Sequence, residues 1–147
     1  MERRTILLVE DNPDDEALTL RSLNKSKVVN EVIVARDGAE ALDYLLGTDY
    51  TATARLDRLP EVVLLDLKLP KIDGLEVLRR LRTSERTKYL PVVVLTSSDE
   101  EPDLLESYKL GANSYIRKPV DFASFAEAVR QVELYWVILN EAPTKKG

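Results

Sequence analysis

The chain has 147 residues, a net charge of -5, and neither cysteine nor histidine. The length suits roughly one domain. The missing cysteine excludes disulfides, thiolate metal centres, cysteine nucleophiles and thioether-linked chromophores, and any histidine chemistry must come from a partner. An acidic balance argues against nucleic acid, whose affinity rests on clustered Lys and Arg.

The N-terminal "MERRTILLVED" is too short in apolar residues to be a signal-peptide core. No apolar run approaches the roughly 18 to 20 residues that span a bilayer, so the sequence reads as a cytoplasmic protein without a membrane partner.

The first predicted strand, Ile6 to Val9, runs straight into "EDNPDD". Asn12 can cap a first helix with Pro13 at its first position, and Ala17, Leu20 and Leu23 or Asn24 follow at helical spacing. A second strand, Val32 to Ala35, precedes a helix from about Ala39 to Leu46 that stops at Gly47, with Leu42, Leu45 and Leu46 inward. The segment from Thr48 to Pro60 is long for a connection and reads as an exposed polar loop.

The third strand is Val62 to Leu65, followed by a helix striped with Leu75, Leu78 and Leu81. Its basic group, Arg79, Arg80, Arg82, Arg86 and Lys88, reads as a solvated face partly paired with Glu76 and Glu85. Val92 to Leu95 forms the fourth strand, a helix spans about Pro102 to Leu110 up to Gly111, and Ser114 to Ile116 forms a short fifth strand. The last helix begins near Asp121 and presents Phe125, Val129, Val132, Trp136 and Leu139. The tail "EAPTKKG" reads as frayed.

Continuous apolar strands alternating with helices predict an α/β fold, a parallel sheet covered on both faces. In such sheets ligands bind outside the carboxyl ends of the strands, where strand order reverses. Asp14, Asp15 and Glu16 fall in a first helical turn, where negative charge complements the helix dipole, and call for no function.

Glu10, Asp11 and Asp66 sit instead at strand ends, and they converge if the first and third strands are neighbours. Three close carboxylates repel one another unless a cation joins them, and an all-oxygen set selects a hard ion such as Mg²⁺. Thr96 ends the fourth strand and Lys118 follows the fifth. Carboxylate, cation, hydroxyl and ammonium are what phosphoryl transfer to an aspartate requires.

The motifs "LLVEDN", "LLDLKLPKIDG", "VVVLTSS" and "ANSYIRKP", in this order and spacing, resemble the receiver domain of two-component response regulators over nearly the whole chain. The resemblance implies a flavodoxin-like, doubly wound five-stranded parallel sheet of order 2-1-3-4-5, forming one domain over residues 1–147 with a core of about 4–140 and a flexible tail.

It further implies that Asp66 accepts a phosphoryl group from a phosphohistidine on a partner histidine kinase. Asp11, Asp66 and the backbone carbonyl of Lys68 would ligate Mg²⁺, with Glu10 reaching the ion mainly through water. Lys118 would pair with the phosphoryl oxygens, and Thr96 and Tyr115 would form the switch. The Lys118 to Pro119 bond is expected to be cis, and Pro70 and Gly74 match the loop after the acceptor, where glycine lets the backbone turn tightly.

The loop from Thr48 to Pro60, "VARDGAEAL" and the late Tyr-Trp pair are similar to stand-alone regulators partnered with bacterial phytochrome-type histidine kinases. A chemotaxis-like or phosphorelay receiver is the alternative. With no residues left for an effector domain, output runs through protein contacts. "LYWVIL" from Leu134 to Leu139 is apolar on every side and offers a homodimer contact.

Among rival readings, a phosphohydrolase resembling the haloacid dehalogenase group needs an acid where Lys68 stands, two residues after the nucleophile. A flavodoxin-type cofactor module needs a phosphate loop where "EDNPDD" would repel phosphate. A receiver acting purely as a scaffold would not need the full acceptor set.

Overall fold

The computed structural model describes residues 5–25, 31–47, 59–97, 101–128 and 130–131. Strands and helices alternate as β1 (Thr5–Val9), α1 (Pro13–Asn24), β2 (Glu31–Ala35), α2 (Gly38–Leu45), β3 (Val62–Asp66), α3 (Gly74–Thr83), β4 (Val92–Thr96), α4 (Glu101–Lys109) and β5 (Ser114–Arg117). A further helical stretch covers 122–128. The strands are all parallel and ordered β2-β1-β3-β4-β5, the order implied by the resemblance.

Because successive strand residues point to opposite faces, each central strand feeds two cores. Leu7, Val9, Val63, Leu65, Val92 and Val94 pack with Leu42, Leu45, Leu78 and Leu81 of α2 and α3. Leu8, Leu64, Val93, Leu95 and Ile116 pack on the other face with Leu23 of α1 and Phe125. β3 and β4 are buried along their whole length, which explains why their sequences show no polar alternation.

Helix starts follow the capping chemistry. Asn12 Oδ1 accepts from the N–H groups of Asp14 and Asp15, while Asp37 and Asp73 cap α2 and α3. The Lys118–Pro119 bond is cis, as expected.

The structure corrects three expectations. Ala17 is exposed, and α1 buries Thr19 and Ser22 alongside the expected Leu23. The Ser22 hydroxyl donates to the Val120 carbonyl at 2.8 Å, a bond available only with the helix turned that way.

The basic group on and after α3 is not one solvated face. Arg79 and Arg80 do pair with Glu76, and Lys88 with Glu85. Arg82, however, donates to the carbonyls of Gly111 and Thr87 and to Asn113 Oδ1, tying α3 to the turn before β5. Arg86 donates to the Leu45 carbonyl at 3.0 Å.

Gly74 has no left-handed backbone, and in this loop the positive φ belongs to Lys71, at 69°. What position 74 requires is the absence of a side chain, because a Cβ there would lie 2.4 Å from the Asp66 carbonyl oxygen. The readings for Val129, Val132, Trp136, Leu139, the 134–139 segment, the tail and residues 48–58 lie outside the described residues.

Candidate functional site

The parallel register brings three strand ends level. Val9 of β1 pairs with Leu65 of β3, so Glu10 follows β1 at the height where Asp66 closes β3. The Glu10 N–H still donates to Ala35 of β2, which holds its side chain over the sheet edge. Thr96 pairs with Arg117, and the Lys118 N–H donates to the Thr96 carbonyl at 2.8 Å, placing Lys118 across from the acids.

Carboxylate oxygens of Glu10, Asp11 and Asp66 lie within 4.8 Å of one another. Glu10 and Asp66 are buried, whereas Asp11 is exposed. Asp66 Oδ1 accepts from the Lys68 N–H at 3.0 Å, and its Oδ2 accepts from the Lys118 ammonium at 2.8 Å. That ammonium also reaches Glu10 Oε1 at 3.0 Å and Asp15 Oδ2 at 3.1 Å.

The electrostatics are those of a site short of positive charge. Burial, then the hydrogen bond and the negative charge of Asp66, push the Glu10 carboxyl up to about 8 against the opposing pull of Lys118. Burial would lower the Lys118 ammonium, but its pairing with Asp66 and Glu10 outweighs that and holds it above its ordinary value. Glu10 Oε1 is fully enclosed, and the nearby ammonium does not lie along a hydrogen-bonding direction. Three carboxylates, all oxygen donors, with an unsatisfied buried oxygen among them, fit a hard divalent cation.

The remaining expected residues take distinct places. Thr96 is buried at the end of β4, with its hydroxyl donating to the Ser97 carbonyl at 3.1 Å. Tyr115 points outward, edge-on to Tyr108 with ring centroids 6.3 Å apart and beside the Arg117 guanidinium. Lys68 is exposed and lines an open cleft with Asp11, Pro70, Asp73 and Asp103.

One residue was not expected here at all. Asp15 reads in sequence as a helix-dipole acid, yet its carboxylate joins the ammonium cluster because α1 begins directly above this edge of the sheet. No spacing within the chain signals a contact between residues 15 and 118.

The family profile described as "Response regulator receiver domain" matches residues 6–130. The chain belongs to the response regulator receiver family. This receiver is 54% identical to a solved structure of the bacteriophytochrome response regulator AtBRR, over 96% of this chain and 100% of that one, with a TM-score of 0.79. It is 41% identical to the probable methanogenesis regulatory protein FilR2 of Methanothrix harundinacea, covering 94% of this chain and 86% of the relative.

The receiver is also 38% identical to response regulator Rcp1 of Synechocystis, over 91% of this chain and 89% of the relative. A solved Mn²⁺-bound form of Rcp1 superposes with a TM-score of 0.71 at 35% identity, covering 98% of this chain and 99% of that one. Receivers are phosphorylated on an aspartate beside a metal-binding acidic cluster and signal through protein contacts, as phosphoacceptors rather than turnover enzymes. The acidic cluster of this receiver is a Mg²⁺-type site. Among the described residues no helix is long and apolar enough to cross a membrane.

Proposed function

We propose that Asp66 is the phosphoacceptor of a response regulator whose receiver domain covers residues 1–147, charged by a partner histidine kinase. The observation that carries this reading is the Lys118 ammonium 2.8 Å from Oδ2 of Asp66, beside Glu10 and Asp11. An Asp66 oxygen forms the new bond to phosphorus as the phosphorus–nitrogen bond of the donor phosphohistidine breaks. The electron pair leaves with the imidazole nitrogen, so the chain needs no general acid of its own.

Lys118 then shifts a donor N–H from the carboxylate to a phosphoryl oxygen, stabilising charge where it accumulates. Asp11, Asp66 and the Lys68 carbonyl would hold Mg²⁺, with Glu10 reaching it mainly through water, and the ion would supply charge neutralisation. Thr96 gives its hydroxyl to the phosphoryl group in place of Ser97, and Tyr115 turns inward behind it.

The similarity to AtBRR supports a phytochrome-type histidine kinase as partner, and in this reading the chain works in the cytoplasm. The apolar sequence from Leu134 to Leu139 supports a homodimer through the C-terminal helix.

Incubation with acetyl phosphate and Mg²⁺ tests the acceptor. Intact mass should rise by one phosphoryl group in the wild type and stay unchanged in Asp66→Asn, and equal modification of both refutes the assignment. Phosphotransfer from purified histidine kinases, phytochrome-type included, tests the partner. Tyr135→Asp should give a monomer by light scattering, and an unchanged mass in solution refutes the dimer.

A further inference from the structure

The Lys118 ammonium has three N–H donors and three carboxylate neighbours: Asp66 at 2.8 Å, Glu10 at 3.0 Å and Asp15 at 3.1 Å. Two of these neighbours change during the reaction described above. Asp66 becomes the acyl phosphate, and Glu10 belongs to the acid cluster that fits a cation. Asp15 stands outside that cluster, on the first turn of α1, where Asn12 fixes its backbone N–H at 3.0 Å.

We propose that Asp15 is a positioning residue for Lys118: it tethers the ammonium from the α1 side through the whole cycle, being the one partner among the described residues that neither phosphorylation nor cation binding removes. The proposal rests on Asp66 and Lys118 having the roles given above.

The tether carries an electrostatic consequence. With a divalent cation bound, Glu10, Asp11 and Asp66 would set three negative charges against the three positive ones of that ion and the Lys118 ammonium, and Asp15, paired with the ammonium, adds a fourth negative charge. Without Asp15 the set would be neutral. Asp15 therefore holds Lys118 in place while slightly repelling an anionic phosphodonor, and the two effects act on different kinetic constants.

Asp14 supplies the control. It is the neighbouring carboxylate on the same helical turn, exposed, and its carboxylate shows no ion pair with Lys118. Asp14→Asn and Asp15→Asn remove the same charge from the same helix terminus, but only the second removes the contact.

The experiment has two arms. In the first, acetyl phosphate transfers its phosphoryl group to Asp66. The phosphorus–oxygen bond to the acetyl group breaks, acetate leaves with the electron pair, and the rate is measured against donor concentration at saturating Mg²⁺.

Asp15→Asn should lower the maximal rate about fivefold, short of the roughly hundredfold that a 1 Å misplacement costs. Its half-saturating donor concentration should fall slightly, as repulsion is relieved. Asp14→Asn should share only the second change, and Asp15→Glu should recover most of the maximal rate. A maximal rate in Asp15→Asn equal to that of Asp14→Asn overturns the proposal.

The second arm needs neither cation nor phosphodonor. In metal-free protein with ¹⁵N-labelled lysine, the Lys118 ammonium signal, assigned by its loss in Lys118→Arg, should exchange with water several-fold faster in Asp15→Asn than in wild type or Asp14→Asn. Unchanged exchange overturns the tether. Phosphorylation of Asp66→Asn would instead overturn the acceptor assignment and leave this second arm to decide the Asp15 contact separately.

Discussion

Replacing Gly74 by alanine should damage both the fold and the phosphoacceptor, because the acceptor strand ends against that glycine. An added Cβ would lie 2.4 Å from the Asp66 carbonyl oxygen, 2.6 Å from Leu67 Cα and 3.0 Å from the Leu67 carbonyl oxygen, whereas ordinary contact begins near 3.4 Å. All three atoms are backbone, so no rotamer change relieves the clash, and the chain after β3 must move by about 1 Å.

Overpacking of this kind costs about 1 to 3 kcal/mol. The opposing gain from replacing a helical glycine is about 0.5 to 1 kcal/mol and applies weakly at the first position of α3. A net loss of about 2 kcal/mol follows, and with a urea m-value of about 1 to 3 kcal/mol/M the midpoint should fall by about 1 M.

The same displacement moves Asp66 relative to Lys118. A misplacement of about 1 Å at a reacting group costs on the order of a hundredfold in rate. Urea unfolding followed by circular dichroism and acetyl phosphate labelling followed by mass spectrometry measure the two effects. A midpoint within about 0.2 M of wild type, with an unchanged labelling rate, would show that the β3–α3 junction is slack and would refute the reasoning.

Three further perturbations separate other parts of the argument. The raised Glu10 means that, between about 4.5 and 8, the folded metal-free protein binds more protons than the unfolded chain, so its stability should fall as pH rises through that window. Saturating Mg²⁺ should flatten this dependence, and Mg²⁺ affinity should rise with pH as the cation displaces the proton; a pH-independent affinity by calorimetry counts against it.

Arg82→Ala removes charge-assisted hydrogen bonds to Gly111, Thr87 and Asn113 and should cost about 2 kcal/mol. Arg79→Ala, losing an exposed pair with Glu76 that solvent screens, should cost far less in the same urea assay. Equal losses would mean that the α3 basic group acts as one surface. Asn12→Ala frees the N–H groups of Asp14 and Asp15 and should cost about 1 kcal/mol, read as a lower thermal midpoint that Asn12→Ser largely restores.

The central strands β1, β3 and β4 were legible in the sequence because each is a continuous apolar run, the composition that a strand buried on both faces needs whatever its neighbours. Asn12 and Pro13 were legible for a similar reason, since capping chemistry is local. The acids Glu10, Asp11 and Asp66 could be picked out because each ends or follows a buried strand, where an unpaired charge is costly.

What the sequence by itself determined was therefore the set of elements, their alternation and the chemistry at the strand ends, all properties of segments a few residues long. Only the tertiary structure decided that α1 presents Thr19 and Ser22 rather than Ala17, that Arg82 is a clamp between elements, and that Gly74 is required for space rather than for turning. The Asp15 contact belongs with these, since residues 15 and 118 meet only once α1 has packed above the sheet. Each of these depends on atoms far apart in the chain, and neither periodicity nor composition carries the orientation that brings them together.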